Sequence, residues 1–385
     1  AFRGLVGERG DEVSVARFIG DPKMRFAPNR AWSTQTRSTA TPRRLAADRR
    51  LRRPGRVRCC FMVTESAARW KSVRWARVGL FYGLALGWIC VVTLGLYFSG
   101  SRDFSLGGTS QVAQLVIAAL YMPAPLAAAL VVERLDNRRP LIATTFRGFR
   151  QSLLPLVLVA VGVLVALFGG MIAASWLLGN VAGVSGTGTV LFSHEDLVAN
   201  ILLLFPGQDS TQVAQLSAAV PPFWGLVAAA GVSALIAGFT VNGLFAFGEE
   251  YGWRGWLADE LRPLGALWAN LITGVLWGLW HAPLILLGFN YYPYNRLGPA
   301  FMVVFCVSFS FVLWRAREVT GSLLAPAILH GMFNAFAGIF VFILSDRHPL
   351  LSAPVGLLGS AVIAVTAIGF WWLTRAQVAQ RSHQT

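Results

Sequence analysis

The chain has 385 residues, 55% hydrophobic and only 13% charged, with a mean hydropathy of +0.57; a soluble domain carries about 25% charged residues, so that class is excluded. The formal charge of +15 points at first to nucleic acid, yet 15 of the 33 lysines and arginines fall in residues 1–61 and many of the others flank apolar runs. That distribution fits positive-inside topology with attraction to anionic lipid at the cytoplasmic face, and argues against nucleic acid as a partner.

Residues 1–70 form an Arg-rich extension without apolar periodicity and are expected to be disordered. Met62 is the expected native start; a transit peptide is the alternative, disfavoured by Glu8, Asp11, Glu12, Asp21 and Asp48. Cys59, Cys60, Cys90 and Cys306 form no CxxC pair, so no disulfide framework or zinc ribbon is indicated. Residues 71–385 are expected to form one all-α, polytopic membrane helix bundle. Apolar runs long enough to span a bilayer lie at about 78–98, 111–132, 153–178, 223–247, 266–287, 299–314, 321–344 and 354–374. Arginines cluster before the first run, after the second, fourth and sixth, and at the C-terminus. Eight spans with both termini cytoplasmic, in a plasma membrane, keep the positive charges inside. The usage of 31 Arg against Lys23 and Lys71 suggests a GC-rich bacterial genome. The loop 179–222 has no Lys or Arg. In it, His194-Glu195-Asp196 is weighed as a metal site but read as the polar cap of an interfacial or re-entrant helix over Leu197–Phe205.

Ionisable residues inside spans are costly and mark functional sites. Glu249 and Glu250 close the fourth run, and Arg254 lies four residues beyond Glu250, on the same helical face. Glu249 points about 100° away and is free to face something else. Trp277 and His281 are four apart in the fifth span, where the aromatic ring can fix the imidazole and Pro283 frees a carbonyl nearby. His330 and Asn334 are four apart in the seventh and can donate two hydrogen bonds to one oxyanion. Taken singly, each pair can be a packing device. Together, polar groups in hydrocarbon are expected to converge on one cavity. Depth is the difficulty. His281 lies roughly 22 Å along the fifth span and His330 only about 13 Å into the seventh, so the fifth helix must start deeper or tilt, and Glu249 must sit below the interface.

Glu249-Glu250-x-x-x-Arg254, Trp277-x-x-x-His281 and His330-x-x-x-Asn334, in this order, resemble the motifs of the CPBP family of intramembrane proteases. That family includes the CAAX prenyl endopeptidases and the bacteriocin-processing or self-immunity proteins also called the ABI family. Trp277 stands where the family usually has Phe. The resemblance implies an endopeptidase in which Glu249, with His281, activates water, while His330 and Asn334 stabilise the oxyanion and Glu250 and Arg254 are architectural. It leaves open a metalloprotease in which Glu249, His281 and His330 hold a divalent metal such as zinc. The implied substrate is a membrane-associated peptide or protein. The rival classes are a non-proteolytic scaffold or immunity protein that keeps the motifs, and a proton-coupled transporter.

Overall fold

The computed structural model describes residues 68–100, 104, 111–138, 153–204 and 209–382. The expectations for the basic extension up to residue 67, including Cys59, Cys60 and Met62, concern residues outside that set, as do Arg139, Arg147 and Arg150 in the cluster after the second run. Among the described residues the architecture is an all-α membrane bundle. Seven segments are long and apolar enough to span: Trp75–Phe98, Val112–Leu135, Leu154–Val181, Ala266–Leu286, Gly298–Thr320, Leu324–Ile343 and Leu357–Gln380. An eighth is a bent pair, Ser210–Ala219 and Phe223–Phe239, at 73°. Leucine, valine, alanine and phenylalanine fill these runs because hydrocarbon accepts no open backbone hydrogen bonds, and a helix closes its own.

In chain order the helices are α1 (Trp75–Phe98), α2 (Gln111–Val116, continued by a π turn over Ile117–Tyr121), α3 (Ala124–Leu135) and α4 (Leu153–Ser175, continued by a π turn over Trp176–Val181). Next come β1 (Thr187–Val190), α5 (His194–Leu204), α6 (Ser210–Ala219), α7 (Phe223–Phe239), α8 (Val241–Glu250, passing into a π segment Tyr251–Leu257) and α9 (Ala258–Leu261). The remainder is α10 (Ala266–Trp280), α11 (Ala282–Leu286), α12 (Gly298–Thr320), α13 (Leu324–Ala337), α14 (Phe340–Ile343), β2 (Leu344–Arg347) and α15 (Leu357–Ser382). The span ending in α14 is 67% buried against 22% for the last span, which makes α13 the central helix and α15 a lipid-facing one.

Three sequence expectations change. The apolar run 223–247 is two helices, broken at Thr240, because three glycines let backbones meet there. A Cβ on Gly243 would lie 1.9 Å from Gly238 O, and one on Gly331 of α13 would lie 2.6 Å from Gly243 N. The sixth span runs to Thr320 rather than 314, because Arg315 is satisfied inside the protein by Thr374, Glu318 and the carbonyl of Trp371. The loop 179–222 holds a strand. β1 pairs antiparallel with β2 in the register Thr187↔Arg347, Thr189↔Ser345 and Val190↔Leu344. The helix expected from Leu197 begins at His194, and α6 follows it, opened by a capping box between Asp209 and Gln212.

Ion pairs bring the Arg-rich ends together. Arg74 before α1 forks between Asp136 after α3 and Glu260 of α9, and Arg77 binds Asp136 at 2.8 Å. Arg317 near the end of α12 pairs with Asp259 at 2.9 Å. The β1–β2 sheet and the Asn200 amide on Val341 O and Phe342 O join the loops that carry little positive charge.

Candidate active site

The two carboxylates lie on a helix that continues past them. Glu249 and Glu250 precede the buried π segment Tyr251–Leu257 and are themselves buried, so both acids lie inside the bundle. This resolves the depth conflict, since Glu249 meets the fifth span at Trp277, one turn before His281. Every residue of the π segment is buried. Close approach demands glycine here: a Cβ on Gly252 would lie 2.5 Å from the Pro125 ring and 2.7 Å from its carbonyl oxygen, and one on Gly248 would lie 3.0 Å from Pro123. The helix therefore rests on the proline-rich start of α3. Extra-wide turns of this kind recur at functional sites.

Glu250 is fully buried and its Oε1 takes two donors, Arg254 Nη1 at 3.0 Å and His330 Nδ1 at 2.9 Å. Arg254, 1% exposed, also donates from Nη2 to Ser310 Oγ at 2.9 Å and lies 4.0 Å over the Trp277 ring. Its carbonyl accepts from Arg317 Nη1, which clamps the π turn from α12. Glu249 is 3% exposed, and its Oε2 accepts from Trp277 Nε1 at 2.8 Å. The Trp277 carbonyl in turn takes the Nδ1–H of His281 at 2.8 Å, which leaves Nε2 as the acceptor of a neutral imidazole. Cys306 Sγ lies 4.0 Å from the same Nδ1. The rings of His330 and His281 stand 5.4 and 5.7 Å from that of Trp277.

Glu249, Glu250, Arg254, Trp277, His281 and His330 thus share one polar cluster built on α8, α10 and α13. The links differ from the simplest expectation, because His330 bonds to Glu250, and His281 reaches Glu249 only through Trp277. Asn334, one turn beyond His330, is exposed, and its side chain makes no hydrogen bond to a described residue. Among the described residues no three His, Cys, Asp or Glu side chains are grouped to hold a metal ion. At Glu249, His281 and His330 the donor atoms Oε2, Nδ1 and Nδ1 are each committed to a protein partner. His194 instead approaches Ser217 O at 3.1 Å, and Asp196 bonds to Ser193.

Sequence reasoning missed Ser310 and Cys306 on α12, and Glu133, which is 2% exposed and accepts from Tyr251 OH at 2.8 Å. A carboxylate at the end of an apolar run, beside Arg134, reads as a loop flank. Only the presence of a tyrosine next to Glu250 hinted at an inward partner. A cavity of about 370 Å³, lined by Cys90, Thr93, Leu94, Tyr97, Pro283, Leu286 and Leu287, lies between α1 and α11, just past His281.

Residues 221–336 match the family model described as type II CAAX prenyl endopeptidase Rce1-like, and all three motif pairs lie within that stretch. The chain is 30% identical over 121 residues to CAAX prenyl protease 2 of Methanococcus maripaludis, an alignment covering 30% of this chain and 44% of that relative. The match thus spans less than half of the relative's length. With its acids, imidazoles and arginine on the helices where the motifs put them, the match over residues 221–336 supports a CPBP-family protein.

Proposed function

We propose that the protein is an intramembrane endopeptidase and that Glu249 is its general base. The observation that carries this reading is a buried carboxylate with one oxygen tied to Trp277 and the other, Oε1, bound by no described residue. Glu249 Oε1 takes a proton from water, and the hydroxide forms a C–O bond with the scissile carbonyl. His281 accepts from that water through Nε2. His330 Nε2–H and the Asn334 amide donate to the oxyanion. A carboxylate can only accept, so His330 uses Nδ1–H on Glu250; to donate from Nε2 as well, it must be the imidazolium. Glu250 supplies the negative charge beside it. Collapse of the intermediate breaks the C–N bond, and the proton on Glu249 passes to the leaving amine. Glu249 Oε1 and the Nε2 atoms of His281 and His330 carry no described protein partner, and no step here is routed through a metal.

The Arg-rich end is proposed to face the cytoplasm of a bacterial plasma membrane, against anionic lipid, with cleavage near that face. The names of the matched family and relative suggest the first probe, a quenched peptide ending in a prenylated Cys-aliphatic-aliphatic-X sequence. The apolar cavity between α1 and α11, lined in part by Pro283 and Leu286, suits a hydrophobic substrate chain. Glu249→Gln is expected to abolish cleavage while the melting temperature in detergent stays near wild type, and chelator is expected to leave wild-type cleavage unchanged. Full cleavage by Glu249→Gln would turn the cluster into a packing device, as in a scaffold or immunity protein.

A further inference from the structure

Trp277 touches more of the site than any residue assigned a chemical role. Its indole N–H holds Glu249 Oε2 at 2.8 Å, and its carbonyl holds His281 Nδ1 at 2.8 Å. Its ring is 1% exposed, lies under the Arg254 guanidinium at 4.0 Å and stacks on Phe309 at 6.2 Å. An indole hydrogen bond is not automatic in this interior. Trp253, Trp256, Trp280 and Trp314 each bury the indole N–H without a hydrogen-bond partner among the described residues. A phenylalanine would fill most of the Trp277 volume and keep the carbonyl bond to His281, but it has no donor for Glu249. The N–H is therefore separable from the packing.

We propose that the Trp277 indole N–H is a positioning group for Glu249, holding Oε2 so that Oε1 alone is presented to the attacking water. This rests on the reading of Glu249 as general base. A carboxylate without that donor turns about its terminal torsion, which is broad and nearly free. A base that samples several orientations spends less time in line with water and carbonyl, a loss that falls on turnover rather than on substrate capture.

The test pairs kinetics with an indole NMR signal in protein reconstituted into nanodiscs. Trp277→Phe is expected to lower kcat on the prenylated Cys-aliphatic-aliphatic-X peptide by about 10- to 100-fold, the scale of a hydrogen bond to a charged group, with KM unchanged. Trp277→Leu, which also has no side-chain donor, is the second variant and should show the same split. In the ¹⁵N-indole spectrum the cross-peak missing from Trp277→Phe marks Trp277. In Glu249→Gln that peak should move upfield as the acceptor loses its charge, while those of Trp256 and Trp314 stay in place. Wild-type kcat in Trp277→Phe beside an inactive Glu249→Gln overturns the positioning role and leaves the general base standing. A loss confined to KM, or a Trp277 peak indifferent to Glu249→Gln, also overturns the positioning role. Wild-type cleavage by Glu249→Gln overturns the general base itself.

Discussion

Glu250 carries the heaviest electrostatic load of any single residue in the site. Its Oε1 serves Arg254 and His330 together, and the side chains of those partners are only 1% and 6% exposed. Removing one member of a buried pair strands the other charge, at a cost of about 3–5 kcal/mol. Glu250→Ala is therefore expected to lower unfolding stability on that scale and to abolish cleavage, because His330 Nδ1 loses the acceptor that holds its ring. Ser310→Ala, which removes one of Arg254's hydrogen bonds, is expected to cost about 1–3 kcal/mol and to leave cleavage measurable. Thermal unfolding and peptide cleavage on the two variants check the ranking; a stable, active Glu250→Ala would refute it. The sequence made the local half of this arrangement legible. Helical spacing joined Glu250 to Arg254, and scarcity of charge marked Glu249, His281 and His330. It could not show that His330 turns to the second acid, or that Trp277 mediates between Glu249 and His281. Those contacts join residues far apart in the chain, and period 3.6 constrains only neighbours on one helix.

Among the elements, the crossing of α8 and α13 decides whether the acids and His330 meet. The contact is backbone on backbone. A Cβ at Gly331 would come within 2.6 Å of Gly243 N and 2.8 Å of Asn242 C, and neither atom can swing aside as a side chain would. Gly331→Ala is expected to cost about 1–3 kcal/mol in overpacking and to reduce cleavage by pushing the neighbouring His330 away from Glu250. Gly369→Ala, on α15, meets nothing within 4 Å and is expected to leave cleavage intact and stability unchanged or slightly raised. Equal behaviour of the two variants in unfolding and cleavage assays would remove α13's packing as the cause. Span existence was legible at this scale because hydrophobic length is a direct physical requirement of the bilayer. Span ends and breaks were less so. The run 223–247 stays apolar through its break, whose signal is the small and polar set Gly238, Thr240, Asn242 and Gly243. Arg315 looked like a stop because a buried arginine is rare, and its partners come from a helix nearly sixty residues away. The four-residue strand Thr187–Val190 is too short for alternation to register, and it is fixed by pairing with β2.

Across the whole molecule, the basic ends are bound to one another by acids that lie outside the spans. Arg74 donates to both Asp136 and Glu260, so one guanidinium ties the entry to α1, the exit from α3 and the segment that follows the π turn after α8. The hydrogen bond from Arg74, supported by the charges of Arg74, Arg77 and Arg138, holds the Asp136 carboxyl below its ordinary value. Burial pushes the Glu260 carboxyl up, but the side-chain and backbone donors of Arg74 outweigh it, and the net shift is again downward. A carboxyl with a depressed folded value binds fewer protons folded than unfolded in the window between that value and the ordinary one near 4. Stability therefore rises with pH through the window, is fully present above about pH 4, and is lost as pH falls through the folded value. Asp136→Asn removes one of the two titrating acids and leaves Glu260 with its partner, so the difference between wild type and variant isolates Asp136. The gap in melting temperature is expected to be widest from pH 5 to 7 and to close on acidification below about pH 4. A gap that stays constant or widens toward low pH would show that Asp136 acts through packing rather than charge. The same comparison probes function, because α9 leads directly out of the π turn that carries Arg254. If the latch holds that turn in place, cleavage by Asp136→Asn at neutral pH should fall together with its stability.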